Sequence, residues 1–257
     1  TSAQTELFAG DGNFVVLTFP SGRWATLIMR TDTPPFDDVR VRQAIRLAAD
    51  RQQLIDLVVN GAGVVTCDTP VAPTDIYRLD GDCPQDIEGA KALLTEAGYP
   101  DGLDVTLYTS DGFGFLVPLA EVYQQQAAAA GINVTLEIAP PDSYWSEVWL
   151  VEPFIASFWA ERPADEILNL NWRSTAPWNE SHFKNATFDQ MLDDARSTLD
   201  FDARREAYQA AQRLIAEEGG HLIPFHLNQS YVMSASLSGV PARSIFQIEW
   251  HTISKSE

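Results

Sequence analysis

Between Leu103 and Trp159 the chain alternates short apolar, period-two runs with amphipathic segments of helical length, and that alternation restricts the fold more than any other feature. Leu103 to Tyr108, Ile132 to Ile138 and Phe154 to Trp159 read as strands. Phe115 to Ala130 reads as a helix, and Asp142 opens another through Trp145 and Trp149. Strands joined by helices of these lengths make βαβ units, so the expected fold is α/β: an open, mostly parallel sheet flanked by helices. The last third is helical. Thr187 with Gln190 reads as a capping box for a helix through Met191, Leu192 and Ala195, and a longer helix from about Asp202 to Glu218 ends at Gly219-Gly220. Phe14 to Phe19 and Trp24 to Met29 read as a hairpin turning at Pro20-Ser21-Gly22, and Leu222 to Phe225 and Ser230 to Ala235 as two further strands.

The stretch PPFDDVRVRQAIRLAAD (Pro34 to Asp50) marks where extended backbone gives way to helix. Two prolines block a helix, Asp37 and Asp38 offer an N-cap, and Val41, Ala44, Ile45 and Ala48 form one apolar stripe that Arg40, Arg42 and Arg46 leave. Asp50 and Gln53 open a second, shorter helix through Leu54, Leu57 and Val58, closed by Gly61.

The balance of 17 basic against 36 acidic residues, a net charge of -19, repels phosphate backbones and anionic membranes and excludes nucleic acid as a partner. The acid either solvates the surface or lines a site for a cationic ligand. Cys67 and Cys83 flank an irregular Pro- and Asp-rich loop, which suits a disulfide in an oxidising compartment, with two unrelated thiols as the other reading. No run of about 18 apolar residues exists to span a membrane. Thr1 begins neither with Met nor with a signal peptide, which reads as a processed or trimmed chain.

Five of the seven tryptophans (Trp145, Trp149, Trp159, Trp172 and Trp178) share one stretch with Tyr144, Glu161, Arg162, Asp165, Asn179 and Glu180. Ligands of open α/β sheets bind beyond the carboxyl ends of strands, and Phe154 to Trp159 ends where the sequence turns polar. The segment FWAERPADE is therefore a candidate pocket edge, with indoles as walls and Glu161, Arg162 and Asp165 as orienting charges. Against this stands packing of the indoles in the core, with Arg162 paired to Asp165 on the surface. Thr109 to Phe115 (TSDGFGF) follows a strand and opens a helix, so its amides can face an anionic or carbonyl group of a ligand, or form a plain turn. His221 and His226 lack a third ligand, so no metal site is expected. No hydrolase, nucleotide or redox motif occurs, and neither catalysis nor a cofactor is expected.

PPFDDVRVRQAI with the following DRQQLI helix and Gly resembles the extracytoplasmic solute-binding proteins of family 5, the dipeptide, oligopeptide and nickel type that feed ABC importers. AKALLTEAGYPDGLDVTLYT (Ala90 to Thr109), WNESHFKNATFDQMLDDA (Trp178 to Ala195) and EEGGHLIPFHLNQSYV (Glu217 to Val232) are similar to later segments of that family. The resemblance implies the carboxy-terminal half of such a receptor, a type II periplasmic-binding-protein-like lobe. Residues 1–30 would end a first lobe and its hinge strand, 31–228 would form the second lobe, and 229–257 would return through the hinge. It further implies a peptide or small-molecule ligand, an ABC permease and a preceding amino-terminal lobe as partners, and a periplasmic or lipoprotein-anchored location. In the family's W-x-A-D-Y-P-D-P segment the acid meets a peptide's amino terminus. Glu161 stands at that position, while Arg162 replaces the aromatic. The resulting ligand-contact set is Trp159, Glu161, Arg162, Asp165, Trp172, Trp178 and Asn179. An effector-sensing domain of a transcriptional regulator is the alternative use of the same lobe.

Overall fold

The computed structural model describes residues 5, 7, 8, 10–243 and 249–256, so the first and last of the three expected segments lie partly outside the described residues. Its centre is a six-stranded sheet of order β2-β6-β1-β5-β3-β4, built from β1 (Phe14–Met29), β2 (Gly63–Val65), β3 (Leu103–Ser110), β4 (Ile132–Ala139), β5 (Phe154–Trp159) and β6 (His221–Ser234). Only the β5-β3-β4 end is parallel, joined by helical crossovers, whereas β1 runs antiparallel to both β5 and β6, and β2 antiparallel to β6. The sheet is thus mixed, not mostly parallel. The antiparallel half comes from two long strands that lie outside the βαβ repeat.

Those two strands also correct the expected hairpin. Pro20-Ser21-Gly22 does not reverse the chain; Phe14–Met29 runs through as one strand, with a register irregularity between Pro20 and Trp24 against β6. A proline removes one ladder donor and a glycine tolerates a kink, which a bulge uses as readily as a turn does. Leu222 to Phe225 and Ser230 to Ala235 likewise fuse into the single strand β6.

Helices α1 (Val39–Leu47), α2 (Arg51–Val59), α3 (Ile87–Glu96) and α4 (Leu116–Ala128) cover one face of the sheet, burying Val41, Ala44, Ile45, Leu54 and Leu119 against Ala25, Leu27, Phe154 and Ala156. Helices α5 (Ala164–Asn171), α6 (Ala186–Ser197) and α7 (Phe201–Glu218) cover the other, where Trp24, Trp159 and Ile223 meet Trp172, Phe188, Leu192, Tyr208 and Ile215. Strand alternation explains the division: Ala25, Leu27 and Met29 face one way, Trp24 the other.

Local chemistry sets the helix starts. The carboxylates of Asp38, Asp50, Asp86 and Asp200 accept from backbone N–H groups of the first turns of α1, α2, α3 and α7. Helix α6 is capped by Asn185, which accepts from Thr187 and Phe188, and not by the Thr187 box. Asp142 lies in a three-residue helix that continues as a π-turn, Tyr144–Val148, instead of a full α-helix.

Two arginines expected on the polar side of α1 are buried. Arg42 donates to the carbonyls of Phe36, Glu218 and Gly219, and Arg46 to those of Gly219 and His221. They close the carboxyl end of α7, where the helix dipole is negative and its last carbonyls lack partners. Beside them Arg51 forms a bidentate pair with Asp68 at 3.1 and 2.8 Å and also reaches the carbonyls of Thr66 and Ile223. Asp68 further accepts from Ile223 N. Burial lowers Arg46 to about 10. Cys67, next to Asp68, is disulfide-bonded to Cys83. The loop they close packs on α7 through Thr69, whose hydroxyl donates to Gln212.

Candidate functional site

At the carboxyl end of β5 the sheet opens into a hollow of about 170 Å³ walled by Trp145, Trp149, Trp159 and Trp178, with Glu180 at its base. The strand sets Trp159 on this side, and Trp24 stacks beneath it at 6.3 Å. The π-turn delivers two more walls. Its Trp149 N–H bonds back to Tyr144 O, and the buried Tyr144 hydroxyl donates to Ala156 O, fastening the turn to β5. Burial pushes that phenol up, so it stays a neutral donor. Trp145 and Trp149 then meet edge to face at 6.0 Å, and Trp178 closes the ring on Trp149 and Trp159 at 6.3 and 5.8 Å.

Glu180 organises the hollow. Its carboxylate accepts from the indole N–H of Trp149 and, at 2.8 Å, from that of Trp159. Ser157 Oγ and Asn171 Nδ2 donate to it at 2.9 and 3.0 Å, and His221 Nε2 lies 3.6 Å away. Burial pulls this carboxyl up, but His221, Asn171 and Trp159 outweigh it and hold the group below its usual value, so it is ionised. Burial lowers His221 despite the carboxylate beside it. A buried charge is thereby spent on fixing two indoles by their polar edges, leaving their apolar surfaces to line the opening. Glu180 was not among the residues singled out as ligand contacts. Its position within the aromatic-rich stretch was the available signal, but its partners come from four different parts of the chain.

The expected contact residues divide. Trp159 and Trp178 line the hollow, and Trp178 is 41% exposed. Glu161 and Arg162 follow directly. Glu161 accepts at 3.0 Å from Gly22 N, across the kink in β1, and only glycine fits there because a Cβ would lie 2.4 Å from Glu161 Cγ. The Arg162 guanidinium sits 5.9 Å from the Trp159 ring and pairs with Glu166 at 2.8 Å. The other three are committed within the lobe. Asp165 pairs with Arg196 and accepts from Tyr208. Trp172 is buried between Trp24 and His221, and Asn179 locks the turn to Phe183 through both amide atoms.

A larger groove of about 690 Å³ lies beside the hollow, between β6, the end of α2 and the loop following β3. Gly112 to Phe115 of the TSDGFGF segment form one wall. Phe158 of the hollow touches Trp145 at 6.1 Å and, at 4.4 Å, Phe113 of the groove, so a ridge of rings connects the two. Among the described residues no group of three or more His, Cys, Asp or Glu side chains could hold a metal ion, and no helix is long and apolar enough to cross a membrane.

Both depressions lie near the carboxyl ends of β3 and β5, where open α/β sheets bind ligands. The chain belongs to the bacterial extracellular solute-binding proteins, family 5, whose middle region matches residues 1–180. It is 29% identical over 233 residues to the glutathione-binding protein GsiB of Salmonella choleraesuis, covering 84% of this chain and 44% of the relative. It is 30% identical over 202 residues to heme-binding protein A of Haemophilus influenzae, covering 74% and 37%. The chain therefore spans less than half the length of these curated relatives. In fold it is similar to the ABC transporter substrate-binding protein CtaP of Listeria monocytogenes, with a TM-score of 0.87 over all of this chain and 55% of that one at 19% identity.

Proposed function

We propose that this chain is the second lobe of an extracytoplasmic receptor that captures a peptide or similar small polar solute and passes it to an ABC importer, without catalysis. The observation that carries the reading is the ionised, fully enclosed Glu180 holding Trp149 and Trp159 by their N–H edges beneath an open hollow. Trp178 and Trp159 are the principal contacts, with Glu161 and Arg162 on the rim. Trp24 to Met29 lie in the middle of this lobe's sheet, so the paired outer halves of β1 (Phe14 to Pro20) and β6 (Asn228 to Ser234) lead toward an opposing lobe, which would close over the hollow by hinge motion. Relatives named for binding glutathione and heme are consistent with a receptor whose rim is varied for each solute.

The test is tryptophan emission of the full chain titrated with short peptides, opines, amino sugars and metal chelates. At least one class is expected to shift the emission saturably, and Trp178→Ala to weaken that ligand about 10-fold, in the range of losing one aromatic contact. A panel without a saturable shift, or a Trp178→Ala variant of unchanged affinity, removes the hollow as the site.

A further inference from the structure

The groove beside the hollow has an electrostatic character opposite to that of the chain. The protein carries 36 acidic residues, yet none is among the described residues that line this groove, and Arg23 is their one charged side chain. Register explains how it arrives there: Trp24 pairs with Trp159 and Ala25 with Phe158, so residue 23 projects to the Phe158 face. Its guanidinium carbon lies 4.9 Å from the Phe158 ring centroid and 5.3 Å from that of Phe115.

Other arginines of this chain are tied down, Arg42 and Arg46 by carbonyls and Arg51 and Arg173 by carboxylates. The Arg23 guanidinium has no hydrogen-bond or ion-pair partner among the described residues, although the side chain is half-buried and burial lowers its pKa. Two aromatic faces hold the cation in place without consuming its N–H donors. Helix α4 adds to the local positive potential, since its first turn follows Phe115 and has no side-chain cap.

We propose that Arg23 is the anion anchor of the binding groove, forking onto a carboxylate of a solute whose apolar or planar part lies along Phe113, Phe115 and Phe158. The inference rests on the solute-binding reading and names its ligand class: carboxylates, bound at the Arg23 end, with the tryptophan hollow receiving the remainder.

The experiment uses matched probes that differ only in charge, 3-phenylpropionate against its primary amide and Ala-Phe against Ala-Phe amide. Each is titrated calorimetrically into the full 257-residue chain. At least one acid is expected to bind about 10-fold tighter than its amide, the advantage of a charge-assisted fork over a neutral contact. Arg23→Gln should bring that ratio to within about 2-fold, and Arg23→Met, which keeps the stem on the rings, should do the same. Unchanged thermal midpoints would show that both variants fold. An acid preference that survives both substitutions, amides that bind as well as acids, or no binding by either acid overturns the anchor. A neutral or cationic solute that shifts tryptophan emission independently of Arg23 overturns the anchor and leaves the receptor reading intact. Loss of acid selectivity in Arg23→Gln together with no effect of Trp178→Ala keeps the anchor and removes the hollow.

Discussion

Two buried charged centres flank β1, the arginine junction on its β6 side and the tryptophan hollow on its β5 side, and they use their charges differently. At the arginine junction, Arg42, Arg46 and Arg51 are buried and donate to carbonyls and to Asp68. At the tryptophan hollow, Glu180 is equally buried, but two of its donors are indoles whose remaining surface lines a cavity. The first centre joins a helix end to a strand and a loop. The second turns the cost of burying a charge into fixed orientation of aromatic walls. The contrast separates polar burial that joins elements from polar burial that shapes an open aromatic surface.

Breaking the junction has the largest expected effect. Asp68→Ala leaves Arg51 without its carboxylate and Ile223 N without its acceptor, and should lower unfolding free energy by about 3–5 kcal/mol in urea denaturation, the range for half of a buried ion pair. Native tryptophan emission should stay as in the wild type, because the hollow is untouched. Replacing Cys67 and Cys83 by Ser should cost about 3 kcal/mol, from the loop-closure entropy of a sequence separation of 16. Cys67 adjoins Asp68, so the combined variant should lose less than the sum; strict additivity would show that the disulfide and the junction act separately.

Glu180→Gln tests the other centre. A neutral amide can accept from only part of the present donor set and places an NH2 against another, so a loss of about 2 kcal/mol is expected. Unlike Asp68→Ala, this variant should shift the emission of the folded protein, because Trp149 and Trp159 lose their common acceptor. An unchanged spectrum would mean that Glu180 does not hold the walls.

How far each centre was legible in the sequence follows the same division. Strand β5 was legible residue for residue, because Phe154, Ile155, Phe158 and Trp159 make an apolar, β-prone run between Pro153 and the polar Glu161-Arg162-Pro163. The aspartate caps of α1 and α2 were also visible, since a cap is a contact across three residues. The hairpin at Pro20 was misread because Pro-Ser-Gly fits a turn and a kink equally, and β6, some two hundred residues away, decides between them. Arg42 and Arg46 read only as lying off the apolar stripe, because the carbonyls that receive them lie at the end of α7 and the start of β6. Of the site, the aromatic stretch and its place after β5 were visible. Glu180's role was not, since Trp149, Ser157, Trp159 and Asn171 converge on it only after the sheet and α5 are assembled.

Acid titration of stability separates the hollow from the strand behind it, with a smaller effect per pH unit. Glu180 is held below its usual value, so its contribution is complete above the ordinary glutamate pKa of about 4.3 and is lost as pH falls through the folded value. His226, buried on β6, is lowered to about 3, by burial first and by Arg78 second, with its hydrogen bond to Pro70 O opposing. Below about pH 6.5 the unfolded chain binds a proton that folded His226 refuses, so stability falls with acidification from there toward pH 3, by at most about 1.4 kcal/mol per unit. His221 is lowered in the same direction, so His226→Gln should make the slope between pH 6 and 4.5 shallower by roughly 1 kcal/mol per unit without abolishing it. Glu180→Gln should leave that slope as it is and change only the limb below about pH 4.3. If instead Glu180→Gln altered the slope near pH 6, the carboxylate and His221 would titrate as a single unit, and the hollow would share its charge with the strand that the comparison keeps apart.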